Sequence, residues 1–313
     1  MTTQYVDRIL QAYPELRDTR LWRVEDEGRQ LSSEYLLDRI REDFPGIGCK
    51  SYRRFKASND FVVLVLDGKF VFRFIQGNEL EDLVIVLREQ AIVDRLRDCL
   101  SVPVPDFQFR PSSLDYVGYS LLPGTLLSPW RFRRQSRSNK RLLAARMSQF
   151  LAQVHSLPMS EARELGVEEE ADQAYESRAA SYFEEHEARF STDDRRTISR
   201  WLEEFEHPKP DPCLSFVHSD IYPYHLMHDP VSGQLTGVID WADHCITDRA
   251  KDFSGLWFYG EEFVDAVIAD YPQADSTLKE RSLRMFKALV ICCAPVGRRD
   301  PVWEYPLRVF RDW

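Results

Sequence analysis

Between Phe216 and Asp252 the chain sets carboxylates at the ends of short apolar runs. Phe216-Val217-His218-Ser219-Asp220 is followed by His225, then by Gly237-Val238-Ile239-Asp240-Trp241, and finally by Asp248 and Asp252. Two acids in this order suit phosphoryl transfer, in which one carboxylate meets the incoming hydroxyl and a later one holds the metal that carries the nucleotide phosphates. That chemistry asks little covalent work of a protein, so placed charges supply most of the rate. Asp220 and Asp240 are the candidates for the two posts.

Several elements must hold these residues. Leu214 to Val217 is apolar and reads as a short buried strand leading into a turn that displays His218 and Asp220, with Pro223 discouraging helix. Leu226-Met227-His228 and Leu235 to Ile239 read as a hairpin around the turn residues Asp229-Pro230-Val231-Ser232-Gly233, which leaves Asp240 at the end of the second strand. Upstream, Phe61 to Leu66 and Lys69 to Phe74 flank Asp67-Gly68, a strong hairpin signal that puts Lys69, Val71 and Arg73 on one face. An apolar-periodic helix over Leu83 to Leu100 carries Glu89 and ends at Ser101-Val102-Pro103-Val104-Pro105. Helical patterns also cover Tyr5 to Ala12, Ser33 to Asp43 with Ser32 or Ser33 as cap, and Lys140 to His155. Glu161 to Phe205 is rich in Glu, Arg and Ala, and there is no internal repeat.

The series resembles the aminoglycoside phosphotransferase superfamily, macrolide phosphotransferases included. In that family a His-x-Asp-x-x-x-x-Asn segment precedes Ile-Asp-Phe or Ile-Asp-Trp and a further Asp-x-x-x-Asp; here they are His218-Ser219-Asp220 with His225, Ile239-Asp240-Trp241, and Asp248 with Asp252. The resemblance implies an α+β, two-lobed protein-kinase-like fold. A small antiparallel β-sheet lobe would span residues 1–120, with a helical extension over 1–48, and a larger, mainly helical catalytic and substrate-binding lobe would span 121–313. It implies a kinase that moves the γ-phosphoryl group of ATP or GTP to a small-molecule hydroxyl with Mg2+. Asp220 would orient the acceptor and take its proton, and Asp240 would bind the metal. His225 stands where most members place Asn; magnesium prefers oxygen to imidazole, so a metal role and a loop-packing role both stay open. Arg73 takes the place of the usual strand lysine, with Glu89 as its implied ion-pair partner. Ser120, Leu121 and Leu122 match the hinge whose backbone binds the purine, and Ile239 would lie beside the nucleotide. Lys56-Ala57-Ser58-Asn59-Asp60 stands in for the phosphate loop without one glycine. His218 and Asp252 would tie the catalytic loop together, while Asp248 is left undecided.

The acceptor is less sharply drawn. Thr236 to Trp241, Ile246-Thr247-Asp248 and Tyr259-Gly260-Glu261-Glu262 look like the macrolide branch. Phe253-Ser254-Gly255-Leu256-Trp257-Phe258-Tyr259 is aromatic, so Trp257 and Tyr259 read either as an apolar substrate wall or as helix core. Glu261, Glu262 and Asp265 are the nearest acids for an amine. An aminoglycoside or a macrolide is expected, with antibiotic resistance as the outcome; the alternatives are another hydroxylated metabolite, or a catalytically silent kinase-like binder. A net charge of −10 speaks against a nucleic-acid partner and for a cationic small molecule. Arg131-Phe132-Arg133-Arg134-Gln135-Ser136-Arg137 reads as a solvated loop. No apolar run approaches the ~18 residues of a membrane span, and Met1-Thr2-Thr3-Gln4 is no secretory signal. Six cysteines without metal or redox spacing point to reduced thiols in a cytoplasm, and a monomer is the default expectation.

Overall fold

The computed structural model describes residues 32–56, 61–76, 80–170 and 174–293. The helical pattern over Tyr5 to Ala12 and most of the glycine-free segment, Ala57 to Asp60, lie outside them. The chain forms two compact units. The first holds the described residues up to Asp98 with Val104–Leu122 and Glu164–Gly166, and the second holds Cys99–Pro103, Pro123–Arg163 and the described residues from Val167 onward.

The first unit begins with helix α1 (Ser33–Asp43), whose N-terminal amides are capped by Ser32 Oγ accepting from the Tyr35 N–H at 3.2 Å. An antiparallel sheet follows, β1 (Tyr52–Lys56), β2 (Phe61–Leu66) and β3 (Phe70–Ile75), then helix α2 (Leu80–Leu96) and strand β4 (Tyr116–Ser120), in the order β1-β2-β3-β4. Asp67 and Gly68 join β2 to β3 with φ of 50° and 63°. These two left-handed residues turn the chain, the Lys69 N–H closes the turn on the Leu66 carbonyl at 2.8 Å, and Leu66 pairs with Phe70 across it. The helix expected from Leu83 starts at Leu80, and its end tightens into a 3-10 turn over Arg97–Cys99. Period-3.6 spacing puts Leu36, Leu37 and Ile40 on one face of α1, where they pack on Val62, Leu64, Leu66, Phe72, Phe74 and Tyr116 of the sheet.

In the second unit β5 (Thr125–Leu126) precedes helices α3 (Pro129–Arg133), α4 (Arg137–Val154), α5 (Met159–Glu164), α6 (Ala174–His186) and α7 (Thr192–Phe205). The basic run from Arg131 to Arg137 is therefore helical at Arg131–Arg133 and again at Arg137, with the connection between α3 and α4 over residues 134–136. Ser128 and Ser136 cap α3 and α4 by accepting from the Arg131 and Asn139 amides, and Pro129 suits the first helical position. Its arginines are exposed, as a solvated face requires.

Two small antiparallel sheets then carry the motif residues. Strand β6 (Leu214–Val217) leads into the segment that holds His218 and Asp220, β7 (Leu226–His228) and β8 (Leu235–Val238) form a hairpin alongside β5, and β9 (Cys245–Asp248) pairs with β6. Helix α8 (Ala250–Ser254) runs into a 3-10 turn over Gly255–Tyr259, followed by α9 (Glu261–Asp270) and α10 (Leu278–Cys293). The aromatic run is core. Trp257 is fully buried and donates its indole N–H to Ser282 Oγ at 3.0 Å, and Tyr259 is buried against Phe132 and Phe263 with its hydroxyl on the Leu127 carbonyl at 2.6 Å. Neither ring presents a surface to a bound molecule, which corrects their expected place beside a substrate. Both polar tips already have partners inside the fold. Among the described residues no helix is long and apolar enough to cross a membrane.

Candidate active site

Strand β6 delivers His218, Ser219 and Asp220 from the buried interior to a half-buried position. Ser219 takes φ of 73°, a left-handed conformation that costs a non-glycine residue about 1–3 kcal/mol and persists only where the surroundings over-determine it. Asp252 supplies that determination. Its Oδ1 accepts from the Ser219 N–H at 2.7 Å and its Oδ2 from the His218 N–H at 2.9 Å. Burial alone would raise the Asp252 carboxyl, but His155 at 3.0 Å and the backbone donors hold it below the usual carboxylate range. Burial keeps His218 neutral, so its Nδ1 accepts the Asp220 N–H at 3.2 Å while the ring lies against Trp241, centroids 4.4 Å apart.

The β7–β8 hairpin brings the second carboxylate to the first. The Ile239 N–H donates to the His225 carbonyl at 2.9 Å, which closes the hairpin beside the loop and places Asp240 next to His225. Asp240 itself has φ of 65°. His225 Nδ1 lies 3.0 Å from Asp220 Oδ2, and Nε2 lies 3.4 Å from Asp240 Oδ2. Burial would lower the pKa of this imidazole, but the hydrogen bond to Asp220 and the charges of Asp220 and Asp240 win and raise it to about 9. At neutral pH the ring is a cation set between the Asp220 and Asp240 side chains. Asp220, His225 and Asp240 each offer a ligand atom within 4.8 Å of the others.

A third acid was not singled out from the sequence. Asp243 follows Asp240 by three residues, and burial, with the charges of Asp220 and Asp240, pushes its carboxyl up to about 6. Gly255 was also missed. A Cβ there would lie 1.9 Å from the Ile221 carbonyl oxygen and 2.6 Å from Tyr222 Cδ1, so the start of the 3-10 turn after α8 packs directly against the loop that follows Asp220. Asp248 acts elsewhere: buried, it pairs with Arg281 at 2.6 Å and accepts from the Ala250 N–H.

In the first unit, Arg73 on β3 and Glu89 on α2 form an ion pair of 2.6 Å with side chains 6% and 0% exposed. The Arg73 guanidinium also lies over the Phe61 ring at 4.5 Å. Beyond β4, Leu121 is exposed and Leu122 half-buried, but the Leu121 N–H is spent on the Lys69 carbonyl at 2.7 Å, and Ser120 Oγ turns to Gln108 Oε1. That amide is therefore already engaged within the sheet. Ile239, half-buried, uses its own amide in the hairpin closure. On α9, Glu261 and Asp265 share the Lys279 ammonium at 2.7 and 2.5 Å, while Glu262 is exposed.

Comparison with known proteins bears on the family and the fold. The model of a phosphotransferase enzyme family matches residues 51–286. An uncharacterized protein of Bacillus subtilis (strain 168), YcbJ, is 24% identical over 190 residues, which cover 57% of this chain and 60% of that protein. The chain thus spans less than two thirds of this curated relative. The GDP complex of wild-type aminoglycoside 2'-phosphotransferase-IIIa superposes with a TM-score of 0.74 at 21% identity, covering 89% of this chain and 97% of that one. Macrolide 2'-phosphotransferase MphH from Brachybacterium faecium gives a TM-score of 0.62 at 18% identity, covering 89% and 98%. The fold is that of these kinase-like enzymes, an antiparallel sheet unit with a mainly helical one.

Proposed function

The chain belongs to the phosphotransferase enzyme family, and on that premise we propose that it moves the γ-phosphoryl group of ATP or GTP to a hydroxyl of a small molecule of the aminoglycoside or macrolide class. The observation that carries this reading is the meeting of Asp220, His225 and Asp240 at the ends of β6 and the β7–β8 hairpin. His225 donates to one oxygen of Asp220, and a charge-assisted hydrogen bond of this kind fixes the carboxylate plane. Asp220 then orients the acceptor hydroxyl and takes its proton. Magnesium fits the donor set through its oxygens: Asp240 is 38% exposed, and its carboxylate suits a hard cation better than the protonated His225 ring does. When bound there, the metal supplies positive charge to the nucleotide phosphates. Asp240 is accordingly its holder, and His225 is the counter-ion that keeps the two carboxylates together.

Arg73 is the phosphate-directed cation of the first unit, held by its ion pair with Glu89. The acceptor class rests on the similarity to aminoglycoside and macrolide phosphotransferases. The decisive experiment is magnesium-dependent nucleotide consumption by the purified protein, with ATP and GTP in turn, against aminoglycosides, macrolides and other hydroxylated antibiotics. Turnover with an antibiotic, lost in Asp220→Asn, supports the proposal. Absence of both turnover and any magnesium-dependent thermal shift with either nucleotide would overturn it.

A further inference from the structure

We propose that Lys251 is a specificity-determining residue for the acceptor: its ammonium, seated on the Tyr175 ring beside the segment that carries Asp220, passes acceptors with a single amine and turns polycations away. This rests on Asp220 as the group that meets the acceptor of the phosphoryl transfer, and it narrows that acceptor to the macrolide type.

Helix α8 fixes where the lysine stands. Its neighbours Ala250 and Asp252 are wholly buried, Asp252 holds the amide of Ser219 just before Asp220, and Gly255 abuts Ile221 just after it. The Lys251 side chain is half-buried, with Nζ 3.7 Å from the centre of the Tyr175 ring on α6. That ring is itself tied to the same place. The Tyr175 hydroxyl donates to Glu170 Oε2, Cys245 Sγ lies 3.7 Å from the same oxygen, and Cys245 also hydrogen-bonds with Ser219. The Glu170 N–H in turn donates to the Ile246 carbonyl of β9 at 2.9 Å.

The acids around this ammonium are mostly committed elsewhere. Glu170 is engaged by the Tyr175 hydroxyl and by Arg178 at 3.5 Å, and Asp220 by His225 at 3.0 Å. On α9, Glu261 and Asp265 share Lys279. Among the described residues Lys251 has no carboxylate at ion-pair distance; burial lowers its pKa, while the charges of Glu170, Asp220 and Asp243 oppose that shift from further away. Packing does not require a charge there. Methionine would lie on the Tyr175 ring equally well, without drawing an ammonium out of water.

A cation without a salt bridge beside the reacting carboxylate is a repulsive element, and specificity is built from repulsion of the wrong partner as well as attraction of the right one. An aminoglycoside brings several ammonium groups to this wall, and those that do not find Asp243 meet Lys251. A macrolide brings one amine on a mostly apolar ring, for which Asp243 suffices.

The test uses full-length wild type, Lys251→Arg, Lys251→Met, Lys251→Glu and Asp220→Asn. Turnover with MgATP and MgGTP gives kcat/KM for kanamycin, a polyamine, and for erythromycin, with its single amine, and calorimetry gives kanamycin affinity without turnover. Wild type should prefer erythromycin. The kanamycin-to-erythromycin ratio of kcat/KM should rise about tenfold in Lys251→Met and about a hundredfold in Lys251→Glu, and stay near wild type in Lys251→Arg. The gain should be large in about 0.01 M salt and nearly vanish in about 1 M, where the screening length falls from about 30 to about 3 Å. A merely structural lysine would lower the melting temperature in Lys251→Met and leave the ratio and its salt dependence unmoved. That result overturns the inference, as does a wild-type preference for kanamycin. If Asp220→Asn keeps turnover, the reading of the site fails separately. If wild type uses neither antibiotic, the acceptor class is what fails, and calorimetry still decides: a gain in kanamycin affinity of about tenfold or more in Lys251→Glu supports the exclusion, and equal or undetectable binding in both proteins overturns it.

Discussion

Arg73 Nη1 meets Glu89 Oε1 at 2.6 Å with both side chains almost out of solvent, so a strand and a helix of the first unit are joined by a buried ion pair. Truncating one partner leaves the other charge buried and alone, which costs about 3–5 kcal/mol, whereas replacing both by apolar side chains is often neutral. Arg73→Ala should accordingly destabilise the protein strongly, while the double change Arg73→Met with Glu89→Leu should restore most of the urea midpoint. Both variants should lack the nucleotide-induced thermal shift. A double variant that binds MgATP or MgGTP like wild type would remove Arg73 from the phosphate site.

Asp220 and Asp240 should separate by phenotype. Asp220→Asn is expected to lower turnover by about 10²–10⁴ while the magnesium-dependent thermal shift with nucleotide persists. Asp240→Asn should abolish that shift. Titrating both variants calorimetrically with MgATP and MgGTP distinguishes the two roles, and equal losses of binding would merge them into one metal site.

His225 makes stability depend on pH in a defined direction. Its pKa is raised from 6.5 to about 9, so the folded protein binds the proton more tightly than the unfolded chain does. The stabilisation is complete below 6.5 and fades as pH rises through about 9. In metal-free buffer the difference in urea midpoint between wild type and His225→Asn should shrink over that window. Asp243, raised from 3.8 to about 6, titrates below it, so Asp243→Asn should leave the slope between pH 6.5 and 9 in place.

Gly255 tests the contact between the 3-10 turn after α8 and the loop that follows Asp220. A methyl group 1.9 Å from the Ile221 carbonyl oxygen must move backbone, since no flexible side-chain end is there to yield. Gly255→Ala should cost about 1–3 kcal/mol from overpacking and reduce kcat while nucleotide binding is retained. Chemical denaturation and steady-state kinetics check it together; a variant with wild-type values of both would mean that the loop is not seated on this turn.

Much of the framework was legible because its signals are local. Asp67-Gly68 dictates a hairpin through φ alone, Ser32 announces the start of α1, and the apolar blocks around Asp220 and Asp240 mark the strands that carry them. The order of acids and the family pattern narrowed the chemistry to phosphoryl transfer before any side chain had a position.

Which groups meet, and which are already spoken for, was decided only by the folded chain. Trp257 and Tyr259 had the composition of a binding wall, yet helix packing turned both inward, where Ser282 and the Leu127 carbonyl took their polar atoms. The Leu121 amide went to Lys69. Asp243 reached the charge cluster through a turn after Asp240, while Tyr271 found His155 across 116 residues. The sequence by itself determined the elements and the kinds of charge available, because backbone propensity and alternation act over a few residues. Tertiary structure decided the charge state of His225, the seating of Ser219 and the burial of the aromatic run, because desolvation and hydrogen-bond satisfaction depend on groups that the chain brings together from far apart.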